Sequence, residues 1–303
     1  MNFADQDCCI GRGLASLTVS DGLCDRMYIW YAISSRVEDL VKKGTGSTFK
    51  AINKATLAEQ DIPLPSIEDQ RRIAAILDKA SGLIALRKRQ LELLDELVKA
   101  RFIEMFGDPV ANPIRWVKKS YNDISILITD GEHATPIRSS NGIPLLSARN
   151  ISNHSFRLND VDYITEQEFS RIAKRIEPQK GDILISCSGS IGRVCSIPEG
   201  MRLQLVRSVA LVRFKKEINP VFAEYLIDTG YTQKQIKQLV NQSSQANLFQ
   251  GQIRRIEAIV PPIKLQEEFA DFVKKVEKLR LEMSRGLDTM ETSYNALLQE
   301  YFG

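Results

Sequence analysis

The feature that most constrains this chain is an internal repeat of long period. Residues 62–107, IPLPSIEDQRRIAAILDKASGLIALRKRQLELLDELVKARFIEMFG, align without a gap on residues 258–303, AIVPPIKLQEEFADFVKKVEKLRLEMSRGLDTMETSYNALLQEYFG, at a constant offset of 196. Pro65 falls on Pro261, Ile67 on Ile263, Gln70 on Gln266, Leu83 on Leu279, Leu91 on Leu287, Phe106 on Phe302 and Gly107 on Gly303. The offset equals 28 heptads, so both copies share one heptad phase. Self-similarity at a fixed period signals duplicated structural units.

Each copy reads as a long helix. Ser66 with Asp69 three residues on is a capping-box-like start. Ile73, Leu77, Ala80, Ile84, Leu91, Leu94, Val98 and Met105 then follow a three-and-four spacing, with Arg87 and Arg101 interrupting. The second copy supplies Phe269, Val273, Val276, Met283, Leu287, Met290, Tyr294, Leu297 and Tyr301, with Arg280 interrupting. Gly107, followed by Asp108 and Pro109, stops the first helix. About 40 residues at 1.5 Å each make a rod of roughly 60 Å. Two matched stripes of this length favour a coiled-coil pair over two helices lying on separate cores. The seam is predicted at Leu77, Ile84, Leu91, Leu94 and Val98, facing Val273, Val276, Leu287, Met290 and Leu297. Antiparallel pairing is expected, because pseudo-twofold packing is the usual solution for repeated units.

The repeat extends upstream. CIGRGLASL (9–17) matches QLVRSVALV (204–212), MYIWYAISS resembles FAEYLIDTG, and GSTFKAINKATL (46–57) matches QSSQANLFQGQI (242–253). Residues 108–199 have no counterpart in the first copy. The expected organisation is therefore a truncated remnant of a first domain over 1–61, a long helix over 62–107, a complete domain over 108–260 and a second long helix over 261–303. With no partner strands, the segment around Cys9, Ile10, Leu14 and Leu17 is expected to expose an apolar face and strand edges. Self-association or a partner contact through residues 1–60 would cover it.

Composition excludes several classes. The chain is 43% hydrophobic and 26% charged, which argues against disorder, and its apolar runs fall short of the roughly 20 residues of a membrane span. The N-terminus has no basic region followed by an apolar core, so no signal peptide is expected. Five cysteines, without a CxxC motif, fit a reducing cytoplasm better than a disulfide scaffold or a zinc site. The charge is uneven: residues 110–260 carry 20 Lys and Arg against 14 Asp and Glu, whereas the remainder is net negative. The basic part is the middle of the chain.

That basic module reads as mixed α/β. ISILITDG (124–131) reads as a strand and turn, GIPLLSARNIS (142–152) as a strand ending in a polar loop, and LVRSVALVRF (205–214) as another strand. KGDILISCSGSIGRVCSIP (180–198) is predicted as two strands joined around Gly189 and Gly192, and residues 219–240 as helix broken near Gly230. Its polar loops have the chemistry of nucleic-acid contacts. Arg and His reach purine N7 or phosphate, and Asn and Gln match adenine edges. The candidates are His133, Thr135, Arg138, Ser140 and Asn141 in one loop, Arg149 and Asn150 in a second, and Ser188, Ser190 and Arg193 in a third. Arg207 follows in the predicted strand, and Ser243, Ser244 and Asn247 in the last loop. Contacts are expected to concentrate in residues 130–150, 186–193 and 241–247. The plain alternative for any single loop is a solvated turn.

Enzyme motifs are thin. KKGTGST (42–48) lacks the P-loop spacing, and neither GxSxG nor HExxH occurs. His133 and His154 are the only histidines, and a hydrogen-bonded role suits them better than catalysis. No catalytic residue and no metal ligand is assigned.

The order of these parts resembles the DNA-specificity subunit of type I restriction–modification systems. The resemblance is carried by GDILIS (181–186), DGEHATP (130–136), GSTFKAI (46–52), IPLPSIEDQRRI (62–73) and VPPIKLQEEF (260–269), in that duplicated arrangement. It implies target-recognition domains that each read one half of a split double-stranded DNA site, and two antiparallel helices that set the spacer. It further implies modification subunits that carry S-adenosylmethionine and methylate adenine, and a restriction subunit that uses ATP. The chain itself would catalyse nothing and bind no cofactor. The departure from the pattern is the shortened first domain, so a homodimer would restore two reading heads. The competing reading is a defective or recombination-reservoir remnant acting only as a coiled-coil interaction protein.

Overall fold

The computed structural model describes the chain apart from residues 5, 12, 20–21, 45–50 and 242–246. The helices are α1 (Arg26–Ser35), α2 (Val37–Lys42), α3 (Lys54–Ala58), α4 (Ile67–Phe106), α5 (Tyr121–Ile124), α6 (Glu166–Ala173), α7 (Pro220–Asp228), α8 (Gly230–Asn241), α9 (Gln250–Ile253) and α10 (Ile263–Phe302). The strands are β1 (Lys118–Ser120), β2 (Ser125–Asp130), β3 (Arg138–Ser139), β4 (Ile143–Leu146), β5 (Ile151–Ser152) and β6 (Ser155–Phe156). They continue as β7 (Asp162–Ile164), β8 (Ile183–Ser186), β9 (Val194–Ser196), β10 (Gln204–Leu205), β11 (Val209–Phe214) and β12 (Glu257–Ile259). The architecture is mixed helix and sheet with two 40-residue helices. Two compact units divide the chain, residues 1–95 with 278–303 and residues 96–277, so each unit takes part of both long helices.

The start of α4 follows local chemistry. Ser66 Oγ accepts from Asp69 N–H at 3.1 Å and donates to the Asp69 carboxylate at 2.7 Å, as the capping pattern predicts. At the other end Gly107 takes φ 74°, and its N–H bonds Ile103 O at 2.8 Å. A side chain there would be strained and would meet the Pro113 ring.

In the first unit Tyr28, Tyr31 and Ala32 of α1 pack with Ile73, Ala74 and Leu77 of α4 and Phe302 of α10. The Tyr28 and Phe302 rings are 5.0 Å apart. Further along, Lys88 pairs with Glu291 at 2.8 Å and Asp95 with Arg280. Low numbers on α4 meet high numbers on α10, so these segments run antiparallel. The second unit repeats the arrangement with the helices exchanged. Phe106 of α4 lies 4.8 Å from Phe222 of α7 and 5.5 Å from Phe269 of α10. Phe106 is the repeat partner of Phe302, and Phe269 that of Ile73.

The repeated glutamine anchors both units. Gln70 is buried, accepts from Asp25 N–H at 2.8 Å, and donates to Leu23 O at 3.1 Å and Pro65 O at 2.9 Å. Gln266 is buried, accepts from Asn219 N–H at 2.8 Å, and donates to Glu217 O at 3.1 Å and Pro261 O at 2.7 Å. Asp25 and Asn219 are the N-caps of α1 and α7. The amide thus ties α4 to the N-cap of α1 and α10 to the N-cap of α7, with both donors and its acceptor used.

Of the expected seam, Leu77, Ile84, Leu94, Val98, Val273 and Val276 are buried, and Leu91, Leu287, Met290 and Leu297 are half-buried. Leu77→Ala is therefore expected to cost about 2–5 kcal/mol, and Leu91→Ala markedly less, in denaturant unfolding. The opposite order would contradict this packing. A second row on α4, Ile76, Leu83, Leu86 and Leu93, stays exposed at heptad-compatible spacing.

The second unit holds the sheets. One has the order β2-β11-β8-β9 with antiparallel neighbours, and another the order β10-β4-β7-β3, in which only β10 and β4 are parallel. β1 pairs with β12 and β5 with β6. Leu146, Leu184, Cys195, Leu205, Val209 and Leu211 join both larger sheets in one core. Two strand expectations are corrected. Residues 205–214 are not one strand, because Gln204–Leu205 pairs with β4 while Val209–Phe214 pairs with β2 and β8. The described residues of 9–17 form no strand, and Cys9, Ile10, Leu14 and Leu17 are exposed.

Candidate nucleic-acid interface

The polar loops of the second unit meet at a recess of about 500 Å³ lined by Ser147, Ala148, Arg149, Arg157, Ser188, Gly189, Ser190, Arg193 and Ser208. Three arginines and four serines are among its lining residues, and among the described residues no Asp or Glu is. Each wall has a local cause. Ala148–Asn150 is a 3-10 turn after β4. Asn150 builds it by accepting from Ser147 N–H and Oγ–H, both at 3.0 Å, and donating to Arg157 O at 2.9 Å and Asp160 O at 2.8 Å. Asn150 is 1% exposed, so the expected DNA contact is corrected: its amide is used in presenting Arg149 and Arg157.

The loop from Cys187 to Arg193 is pinned at its base. Ser186 N–H bonds Arg193 O at 2.9 Å, and Ser186 Oγ accepts from Arg193 N–H at 2.9 Å. Gly192 has φ 88° and sits under Gln233, whose amide donates to Gly192 O at 2.9 Å and Ile227 O at 2.8 Å. A Cβ at Gly192 would lie 2.7 Å from Gln233 Oε1, so only glycine fits without displacement. Ser188, Gly189 and Ser190 project beyond this base, with Gly189 at φ 65°.

The arginines divide into two groups. Arg149 pairs with Asp160 at 3.4 Å and Asp162 at 3.1 Å, and Arg138 pairs with the same Asp162 oxygen at 3.1 Å. Arg157, Arg193 and Arg207 have no carboxylate partner among the described residues. Arg157 lies outside the loops that the sequence singles out, because nothing in its local sequence separates it from a solvated turn residue. Arg207 is exposed in the crossover between β10 and β11, its N–H bonded to Glu132 O at 3.0 Å.

The loop 131–142 stands apart from the recess lining. His133 is exposed and its Nε2 lies 2.9 Å from Asp130 Oδ2. Asp130 also accepts from Gln250 at 2.6 Å and pairs with Arg175 at 3.2 Å. Partial burial acts to raise the Asp130 pKa, but the bond from His133 and the other donors prevail and hold it below its ordinary value. Thr135, Ser140 and Asn141 are exposed and Asn247 is half-buried. Ser243 and Ser244 lie outside the described residues. No helix among the described residues is long and apolar enough to cross a membrane.

An open recess with guanidinium forks and hydroxyls but no carboxylate suits phosphate oxygens, which accept charge-assisted hydrogen bonds from both groups. Comparison with known proteins narrows the context. The family model described as type I restriction modification DNA specificity domain matches residues 1–96 and 113–289. The type I restriction enzyme MjaVIII specificity subunit of Methanocaldococcus jannaschii is 22% identical over 286 residues, covering 88% of this chain and 67% of that protein. The EcoBI specificity subunit of Escherichia coli is 20% identical over 297 residues, covering 89% of this chain and 62% of its own length. A type I restriction-modification S subunit from M. genitalium shares the fold with TM-score 0.59 at 16% identity, over 94% of this chain and 74% of that one. The chain thus spans roughly two thirds of the length of these relatives.

Proposed function

The chain belongs to the family of type I restriction modification DNA specificity domains, and from that premise we propose that residues 96–277 form a non-catalytic reading head for double-stranded DNA. The observation that carries this reading is the recess itself. Arg157 and Arg193 line it without a carboxylate partner among the described residues, and Ser188 and Ser190 stand beside them. Phosphate contacts of this kind set position on the duplex, and base edges supply specificity. The exposed loop with His133, Thr135, Arg138, Ser140 and Asn141 is the candidate for base edges.

In this reading the long helices scaffold the assembly. Modification subunits would bring S-adenosylmethionine and adenine methylation, and a restriction subunit would bring ATP-driven chemistry. The exposed row Ile76, Leu83, Leu86 and Leu93 supports a helical partner on α4, because heptad-spaced apolar residues seat one.

Titration of duplex DNA against salt tests the proposal. Arg157→Ala and Arg193→Ala are each expected to weaken binding on all sequences and to lower the slope of log K against log salt by about 1. Arg138→Ala, if the side chain reads a base, is expected to cost about 1–3 kcal/mol on the cognate site only. Unchanged affinity and slope in both recess variants would overturn the assignment.

A further inference from the structure

His154 sits at the tip of the β5–β6 hairpin with φ 60°. This left-handed conformation is uncommon outside glycine, with histidine and asparagine among the residues that adopt it most readily. Here Nδ1 lies 2.8 Å from Glu224 Oε1, and Nε2 lies 3.2 Å from Asp228 Oδ2. The ring stacks on Tyr225, with centroids 4.0 Å apart and planes 15° from parallel. Glu224 and Asp228 stand one turn apart on α7. A neutral imidazole has one donor and one acceptor, so either tautomer would turn a lone pair toward a carboxylate. The doubly protonated ring donates to both. Burial works against that charge, but the bonds and charges of Asp228 and Glu224 outweigh it and raise the His154 pKa to about 9.

The same cluster grips β9. His154 N–H donates to Val194 O at 2.9 Å, and Asn153 Oδ1 accepts from Val194 N–H at 3.2 Å. Asn153 Nδ2 donates to Asp228, and Glu224 Oε2 accepts from Ser196 N–H at 3.0 Å. Arg193 directly precedes Val194, and Arg157 directly follows β6. The two recess arginines without a carboxylate partner among the described residues therefore both emerge from segments that this cluster holds to α7.

Resting on the DNA-binding reading above, we propose that His154 is a positioning residue: through its bonds to Glu224 and Asp228 it locks the β5–β6 hairpin and β9 to α7, and so holds Arg157 and Arg193 in place for DNA phosphates. The groups around the ring are few. Helix α7 contributes the two carboxylates and Tyr225. From β9, Cys195 has its thiol pKa raised by burial and by Glu224, and Val194 and Ser196 contribute backbone. The hairpin contributes the neutral Asn153. Loss of one ring proton leaves one carboxylate facing a lone pair, which loosens the clamp.

The test uses the full chain and a fluorescently labelled mixed-sequence duplex at low, fixed salt. Wild-type affinity is expected to fall about tenfold between about pH 7 and pH 10, with its midpoint near the His154 pKa. His154→Asn retains a residue tolerant of left-handed backbone. It is expected to bind about tenfold more weakly at neutral pH and to show a flat profile. Glu224→Gln combined with Asp228→Asn keeps the ring and is expected to move the midpoint down toward the ordinary histidine range, about 6.5. Full affinity in His154→Asn, alongside weakened binding in the two arginine variants, would overturn the clamp and leave the DNA-binding reading standing. Absence of wild-type binding at every pH would overturn that reading and the clamp with it. If His154→Asn does not fold, the carboxylate double variant decides, and an unmoved midpoint sinks the proposal.

Discussion

Replacing Gln266 by leucine is expected to destabilise the chain by about 3–5 kcal/mol, far more than its side-chain volume would suggest. Leucine is close to glutamine in size, so little cavity forms. What disappears is a set of three hydrogen bonds in a fully buried position. Pro261 O, which is buried, and Asn219 N–H and Glu217 O, which are part-buried, would be left without that partner, and an orphaned buried group costs about 1–3 kcal/mol. The N-cap of α7 loses its anchor to α10 at the same time. Gln70→Leu should do the same to the first unit, because its three bonds have the same kinds of partner. Equilibrium unfolding in urea measures both. A loss below about 1 kcal/mol in either variant would show that the repeated glutamine is not an anchor.

Stability should also depend on alkaline pH through His154. Its pKa is raised in the folded chain to about 9, against about 6.5 in an unfolded one. A group of this kind contributes stability that is fully present below the unfolded value and is lost as pH rises through the folded value. Between about pH 6.5 and pH 9 the chain should therefore lose up to about 3 kcal/mol. Denaturant unfolding across this range gives the measurement, and His154→Asn should remove most of the slope. A wild-type profile that stays flat, or an identical decline in the variant, would contradict the ion cluster.

Periodicity and local chemistry carried much of this architecture in readable form. The 196-residue repeat locates both long helices, their common phase and the paired glutamines, because helix period and capping are local properties of a segment. The helix break at Gly230 and the strands on either side of the Gly189–Gly192 loop are legible for the same reason. Burial is a different matter. Leu83 and Leu279 share the apolar pattern, yet both are exposed, since which face becomes a seam depends on where the partner lies. Residues 205–214 look like one strand and serve two sheets, because ladder partners come from distant segments. Charge partners are equally non-local. Arg138 and Arg149 share Asp162, Asn150 turns inward, and Arg157 joins a recess with Arg193 that no neighbouring residue announces. His154 meets carboxylates 70 and 74 positions away. Sequence by itself determined the elements and their repetition, through short-range periodicity. Which polar side chains remain free to meet a ligand was decided by tertiary structure, because each one's electrostatic partner arrives from another part of the fold.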